Sequence, residues 1–146
     1  MSQHGRPKGE YRSAQHEGTP VNWPAELRLR TPPVTPLQLA LFAASSGDHN
    51  PLHLDPEVAR RAGFDRPVVH GMLSMALAAR LFTREFGPQA LTRLHTRFVG
   101  VALAGESLDL VATLHEADEQ TAHYRLRAST ERAEVLSGEA QLRRTS

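Results

Sequence analysis

The sequence predicts an α+β fold in which one antiparallel β-sheet wraps around a long central α-helix. The first observation is an apolar stretch over residues 71–86, which is long enough for a buried helix. The second is an alternation of apolar and polar residues from residue 91 onward, which is typical of β-strands. Because the helical pattern ends before the strand pattern begins, helix and sheet are segregated along the chain, as in α+β proteins.

Two shorter helices are predicted before the central one. Thr35 can cap a helix that begins at Pro36, and this helix is expected to run to about Ala44. A second helix is expected after Asp55, with a proline at its start and a glycine stop at Gly63.

The central helix is predicted from Gly71 to Phe86, where a glycine and a proline end it. Its apolar residues are distributed around nearly the whole helix, so we expect the helix to be buried on every side. They are Met72, Leu73, Met75, Ala76, Leu77, Ala79, Leu81, Phe82 and Phe86.

Four strands are predicted after this helix, from the stretches 93–98, 107–115, 122–129 and 134–143. The connections between them are short and polar, so we expect consecutive strands to pair as hairpins of a meander. Gly138 within the last stretch is expected to mark a β-bulge.

The chain of 146 residues has the length of one domain, and its composition, 40% hydrophobic and 23% charged, is that of a globular protein. We expect residues 1–23 to form a flexible polar tail and residues 24–146 to form the domain. No stretch resembles a membrane span or a signal peptide, so we expect a soluble, cytoplasmic protein with no membrane partner.

Net charge and cysteine content exclude several classes of function. A formal charge of +1 gives no positive field for a phosphate backbone, so we expect no nucleic-acid partner. The absence of cysteine excludes thiolate nucleophiles and cysteine-ligated metals, and it is compatible with a reducing cytoplasm. Lys8 is the only lysine among 17 basic residues, a bias that is typical of a GC-rich bacterial genome.

The densest polar cluster is Ser46–His53, which holds two histidines, a carboxylate and an amide. One interpretation is a polar turn whose Asp48 and Asn50 bind backbone amides. The other is an acid–base pair, because Asp48 and His53 could reach one water molecule across a turn broken by proline.

This cluster resembles the signature of the MaoC-like (R)-specific enoyl-thioester hydratases. The matching residues are Phe42, the run Gly47-Asp48-His49-Asn50-Pro51-Leu52-His53, and Ala59. A second block, Arg66 to Leu73, and a third, Arg97 to Gly100 with Gly105 and Glu106, also match. The resemblance implies a single hot-dog fold and a homodimer whose active sites lie near the subunit interface.

The resemblance also implies roles for individual residues. Asp48 and His53 would be the catalytic acid–base pair, and the order of their proton transfers stays open. The Gly71 amide would contact the thioester carbonyl oxygen, at a helix start that favours negative charge. Ser46, Asn50 and His70 are expected to support the site.

The substrate would be an acyl thioester on coenzyme A or on acyl carrier protein, and the sequence does not choose between the two carriers. Arg60, Arg66 and Arg97 are candidate contacts for the carrier's phosphates, unless they form a solvated surface. His49, His53 and His70 suggest a metal site, but Pro51 breaks the required helix. We therefore expect no metal and no cofactor.

Two other functions remain as alternatives. A hot-dog thioesterase would need a carboxylate on the central helix, where Glu85 near the far end is the only acid. A non-catalytic acyl-thioester binding subunit would be expected to lack the pair, yet Asp48 and His53 are both present. Neither alternative hydrates an enoyl thioester.

Overall fold

The computed structural model describes residues 22–145, and five of its segments form one antiparallel sheet with the order β1-β3-β4-β5-β2. The strands are β1 Glu26–Arg30, β2 Leu91–Phe98, β3 Asp109–Ala117, β4 Thr121–Ser129 and β5 Glu134–Arg143. The helices are α1 Pro36–Ser46, α2 Pro56–Arg61 and α3 Gly71–Phe86, with a 3₁₀ turn at Pro51–His53. The predicted class, a sheet around a long helix, is confirmed.

The predicted helix starts follow from the capping residues. Thr35 accepts a hydrogen bond from the Gln38 amide at 3.1 Å, and Asp55 accepts one from the Glu57 amide at 2.8 Å. Helix α3 has the predicted bounds. Among residues 22–145, no helix is long and apolar enough to cross a membrane.

The expectation that α3 is buried all round is wrong. Leu73, Leu77 and Phe82 are buried against the sheet, whereas Met72 and Arg80 on another side are exposed. A single sheet has one inner face and covers one side of a helix, which leaves the other side open in the single chain.

The predicted four-strand meander is wrong at its first connection. β2 pairs with β5, and β3 pairs instead with β1, a strand that the sequence analysis missed. The alternation of Leu27 and Leu29 with charged residues was the signal for β1. The stretch 99–108 therefore carries the chain between distant strands, and its residues Ala102–Ala104 are buried.

Gly138 does not mark a bulge, because its pairing with Thr96 and Leu126 is in register. A Cβ atom at this position would lie 2.1 Å from the His95 carbonyl oxygen. The glycine is required by this close approach of two backbones.

Residues 1–21 of the expected tail lie outside the described residues. Trp23, which was placed at the end of that tail, is buried in the core. Its indole N–H donates to the Asp118 carbonyl at 2.9 Å, and its ring contacts Phe86. The packed core thus includes a residue before position 24.

Candidate active site

The loop after α1 is shaped by hydrogen bonds between its own side chains and backbone. Gly47 ends the helix with a positive φ of 78°. The backbone amide of Asp48 donates to Ser46 Oγ, and the backbone amide of Asn50 donates to Asp48 Oδ1. Asn50 Oδ1 in turn caps the 3₁₀ turn through the Leu52 amide at 3.0 Å. The turn interpretation therefore holds for Asp48 and Asn50, whose side-chain oxygens accept from backbone amides, and these bonds hold the Asp48 carboxylate in place.

His53 lies beside Asp48 with a defined tautomer. Its Nδ1 is 2.6 Å from the Val68 carbonyl oxygen, which can only accept, so Nδ1 carries the proton in the neutral ring. Its Nε2 then carries the lone pair and lies 3.6 Å from Asp48 Oδ2. The pair presents two proton acceptors to one small space, as an acid–base site for water requires.

The two members of the pair differ in solvent exposure. The Asp48 side chain is 51% exposed, whereas the His53 side chain is 11% exposed. Met72, Phe98 and Val99 are exposed apolar residues near the start of α3 and the end of β2.

His70 brings the start of α3 to this pair. Its ring stacks on the His53 ring with centroids 3.8 Å apart and planes 21° apart. Its Nε2 lies 3.2 Å from the Asp48 carbonyl oxygen. Burial lowers the pKa of His70, which is 1% exposed, so the ring is neutral at neutral pH.

Gly71 is the first residue of α3. The Leu73 and Ser74 amides donate to the His70 carbonyl, whereas no acceptor is paired with the Gly71 amide among the described residues. Such an amide at a helix N-terminus favours a negatively charged partner. A Cβ at this position would lie 3.2 Å from the Phe98 ring, so a side chain would crowd the helix start.

The segment before α3 is held by the buried connection between β2 and β3. The Val69 amide donates to the Ala102 carbonyl, and the Ala104 amide donates to the Pro67 carbonyl, both at 2.8 Å. Glu106 anchors this connection, because its carboxylate accepts from the Leu103 amide. These bonds fix the position of His70 and Gly71.

The three candidate phosphate contacts have different surroundings. Arg60 pairs with Glu57 at 3.0 Å, and Arg66 lies 3.8 Å from Glu106. Arg97 follows Thr96 and precedes Phe98, which faces α3, so its side chain lies on the other face of the sheet. There it lines a depression together with Arg125 and Arg127.

Asp48, His53 and His70 offer ligand atoms within 4.8 Å of one another. A metal bound to both rings would have to lie about 2 Å from a nitrogen of each and near the plane of each ring. The stacked rings have nearly parallel planes, so their lone pairs do not converge on one point. The arrangement disfavours a shared metal ion, and His49 is not part of this cluster.

Sequence reasoning missed the Val68 carbonyl as a partner of the pair. A backbone acceptor carries no residue-type signal, so a pattern search could not have found it. Phe42 was noted only as part of the motif, and it contacts the His70 ring with centroids 4.8 Å apart.

The family model of the MaoC like domain matches residues 19–135. The chain belongs to the MaoC-like family. In sequence it is 39% identical to the (R)-specific enoyl-CoA hydratase of Aeromonas caviae over 94 residues, 64% of this chain and 63% of that protein. It is also 39% identical to the peroxisomal enoyl-CoA hydratase 2 of Arabidopsis thaliana over 72 residues, 47% of this chain and 23% of that protein.

The fold of this MaoC-like chain is that of a solved hydratase. The structure of the A. caviae (R)-hydratase involved in PHA biosynthesis matches with a TM-score of 0.75 and 29% identity. The match covers 82% of this chain and 94% of that chain, which confirms the hot-dog fold. The chain spans less than two thirds of either curated relative, so their activities are carried to it only as proposals.

Proposed function

We propose that this protein adds water to 2-enoyl thioesters with (R) stereochemistry, or removes it from (R)-3-hydroxyacyl thioesters, using Asp48 and His53. The observation that carries the proposal is the lone pair of His53 Nε2 facing the Asp48 carboxylate at 3.6 Å. The names of the A. caviae and A. thaliana relatives support the same reaction.

Water bound between the pair would be oriented by two acceptors. One of them takes a proton from the water as its oxygen bonds to C3 of the enoyl group. The C2–C3 π electrons move toward the thioester oxygen, and the pair then delivers to C2 the proton that it took from the water. One water is added in total, and no external oxidant or reductant is needed.

The negative charge that develops on the thioester oxygen needs a donor. In this proposal the Gly71 amide supplies it, because the start of α3 combines an unpaired N–H with the positive end of the helix dipole. The proposed reaction uses no metal and no cofactor, since proton transfer and one amide perform every step.

The test is hydration of crotonyl-CoA, followed as loss of the conjugated enoyl absorbance, with chiral analysis of the product. We expect (R)-3-hydroxybutyryl-CoA from the wild type. Asp48→Asn keeps the side-chain shape but removes the carboxylate, and we expect its rate to fall by about 10²-fold to 10⁴-fold.

Two outcomes would contradict the proposal. Release of free thiol without hydration would indicate a thioesterase. Binding of enoyl thioesters of short and long chains, on both carriers, without turnover would indicate a binding subunit.

We propose that the carrier, coenzyme A or acyl carrier protein, approaches Arg60 and Arg66. Both guanidinium groups are about half exposed or more, although each has an acidic neighbour. A higher KM for crotonyl-CoA in Arg66→Gln, with kcat unchanged, would support this placement, since a carrier contact contributes uniform binding.

We also propose that the protein is a homodimer in the cytoplasm. β2 is an edge strand of the sheet, and the exposed Phe98 and Val99 lie at its end, so a second copy could cover both. Light scattering should give twice the chain mass for the wild type and the mass of one chain for Val99→Asp. Val111→Asp, on the outer face of β3, is the matched control and should stay dimeric.

The cytoplasmic location is tested separately, by fluorescence microscopy of the tagged chain in cells.

A further inference from the structure

His70 contacts both members of the catalytic pair without being one of them. Its ring stacks on the ring of His53, and its Nε2 lies 3.2 Å from the backbone carbonyl of Asp48. His53 and Asp48 lie 17 and 22 residues before it in the sequence, so the contact is created by the fold. Packing at a helix start would account for the burial of His70, but it does not require contacts with both His53 and Asp48.

The contacts define the protonation state of His70. The Asp48 carbonyl can only accept, so Nε2 of His70 carries the proton. Its Nδ1 is buried and has no hydrogen-bond partner in the structure. A protonated ring would place a second, unpaired donor at this buried position, which is unfavourable.

We propose that His70 is a positioning residue for the acid–base pair: its ring holds the His53 imidazole and its Nε2–H holds the Asp48 backbone. The His53 ring is thereby fixed on two sides, by the stack and by the Val68 carbonyl. The Asp48 carbonyl is fixed from the helix side, while the turn bonds fix its carboxylate.

Neutral His70 also suits the proposed chemistry. In the course of the reaction His53 can hold an extra proton, and a second imidazolium stacked 3.8 Å away would repel that charge. A neutral ring stacked at this distance adds no such repulsion. This part of the inference rests on the proposed hydratase function.

Two substitutions separate the two contacts. His70→Phe keeps a ring of similar shape and removes the donor to Asp48. His70→Gln keeps an N–H donor near the Nε2 position and removes the ring. We expect kcat to fall by about 10-fold to 100-fold in each variant, with KM changed little, because a misplacement of about 1 Å costs rate.

Phe86→Leu is the control for packing loss in α3. Phe86 lies at the other end of the helix and contacts Trp23 and Tyr124. We expect this variant to lower Tm while kcat stays at the wild-type value. A wild-type kcat in both His70→Phe and His70→Gln would overturn the proposal, since it would mean that neither contact positions the pair.

Nitrogen-15 NMR of the histidine rings tests the positioning without turnover. We expect a neutral Nε2–H form for His70 and a neutral Nδ1–H form for His53 in the wild type, and a shifted, broadened His53 signal in His70→Gln, where the stacked ring no longer holds the imidazole. An Nδ1–H form of His70, or an unchanged His53 signal in the variant, would contradict the proposal. If the wild type hydrates no substrate, the proposed function fails, and the NMR result still decides the positioning role.

Discussion

The two ends of α3 have opposite character. The N-terminal end is polar: His70 contacts the acid–base pair, and the Gly71 amide has no acceptor among the described residues. The C-terminal end is aromatic: Phe82 is fully buried against Tyr124, and Trp23 packs on Phe86. One helix thus presents an unpaired amide at one end, among the described residues, and buries aromatic rings at the other.

The difference teaches how a small domain can keep reactive polar groups. Buried polar groups that lack partners cost free energy, and the aromatic end offsets that cost through buried apolar area. Substitutions at the two ends should therefore separate activity from stability.

His53→Ala should break the polar end. Loss of the imidazole removes one member of the proton-transfer pair, so we expect the hydration rate to fall by about 10²-fold to 10⁴-fold. The ring is only 11% exposed and bonds the Val68 carbonyl, so its loss should also lower Tm, and the rate is compared per folded molecule. Steady-state kinetics and calorimetry on the same sample measure both. A rate near that of the wild type would remove His53 from the mechanism.

Phe82→Ala should break the aromatic end. The ring is fully buried, and its loss leaves a cavity, so we expect the free energy of unfolding to fall by about 3–5 kcal/mol. Urea unfolding measures this loss. The rate per folded molecule should stay at the wild-type value, and Phe82→Leu serves the same test if the alanine variant does not fold. A specific loss of kcat in a folded variant would show that the two ends are coupled.

Tyr124 should make the aromatic end sensitive to alkaline pH. Burial, with a smaller contribution from Glu85, raises its pKa to about 12. The unfolded chain releases this proton near pH 10, whereas the folded chain retains it, so the unfolded state binds fewer protons and stability falls as pH rises from 10 to 12. We expect a loss of about 2 kcal/mol over this range, which Tyr124→Phe should lack. Identical pH profiles of unfolding in the two proteins would contradict the assignment.

Asn50→Ala should have the smallest effect. Its side chain caps the 3₁₀ turn, so we expect a loss of about 1 kcal/mol in stability and a smaller loss of rate than in the pair variants. Urea unfolding and steady-state kinetics measure the two. A rate loss equal to that of His53→Ala would indicate that the side-chain amide of Asn50 binds the reacting water.

Local patterns in the sequence predicted much of the fold. The bounds of α3 and the caps of α1 and α2 depend on neighbouring residues, and the structure has them as expected. The Asp48–His53 spacing also predicted that the two side chains would lie close together, because a short turn restricts the directions in which they can point. Local hydrogen bonds and steric limits act over a few residues, so a linear pattern carries them.

Pairing between distant segments was beyond those patterns. Alternation shows that a strand has two faces but does not choose its neighbour, so the pairing of β2 with β5 was missed. The same limit applies to Arg97, which was a candidate contact for a carrier phosphate because of its side-chain chemistry and which lies on the other face of the sheet.

The sequence by itself determined the three helices, the caps of α1 and α2, the existence of β2 to β5 and the closeness of Asp48 to His53. Only the tertiary structure decided that His70 stacks on His53, that the Val68 carbonyl sets the His53 tautomer, and that one side of α3 stays open. The physical reason is that these contacts join residues brought together by packing of the whole core, and a backbone carbonyl or a ring face carries no sequence signal of its own.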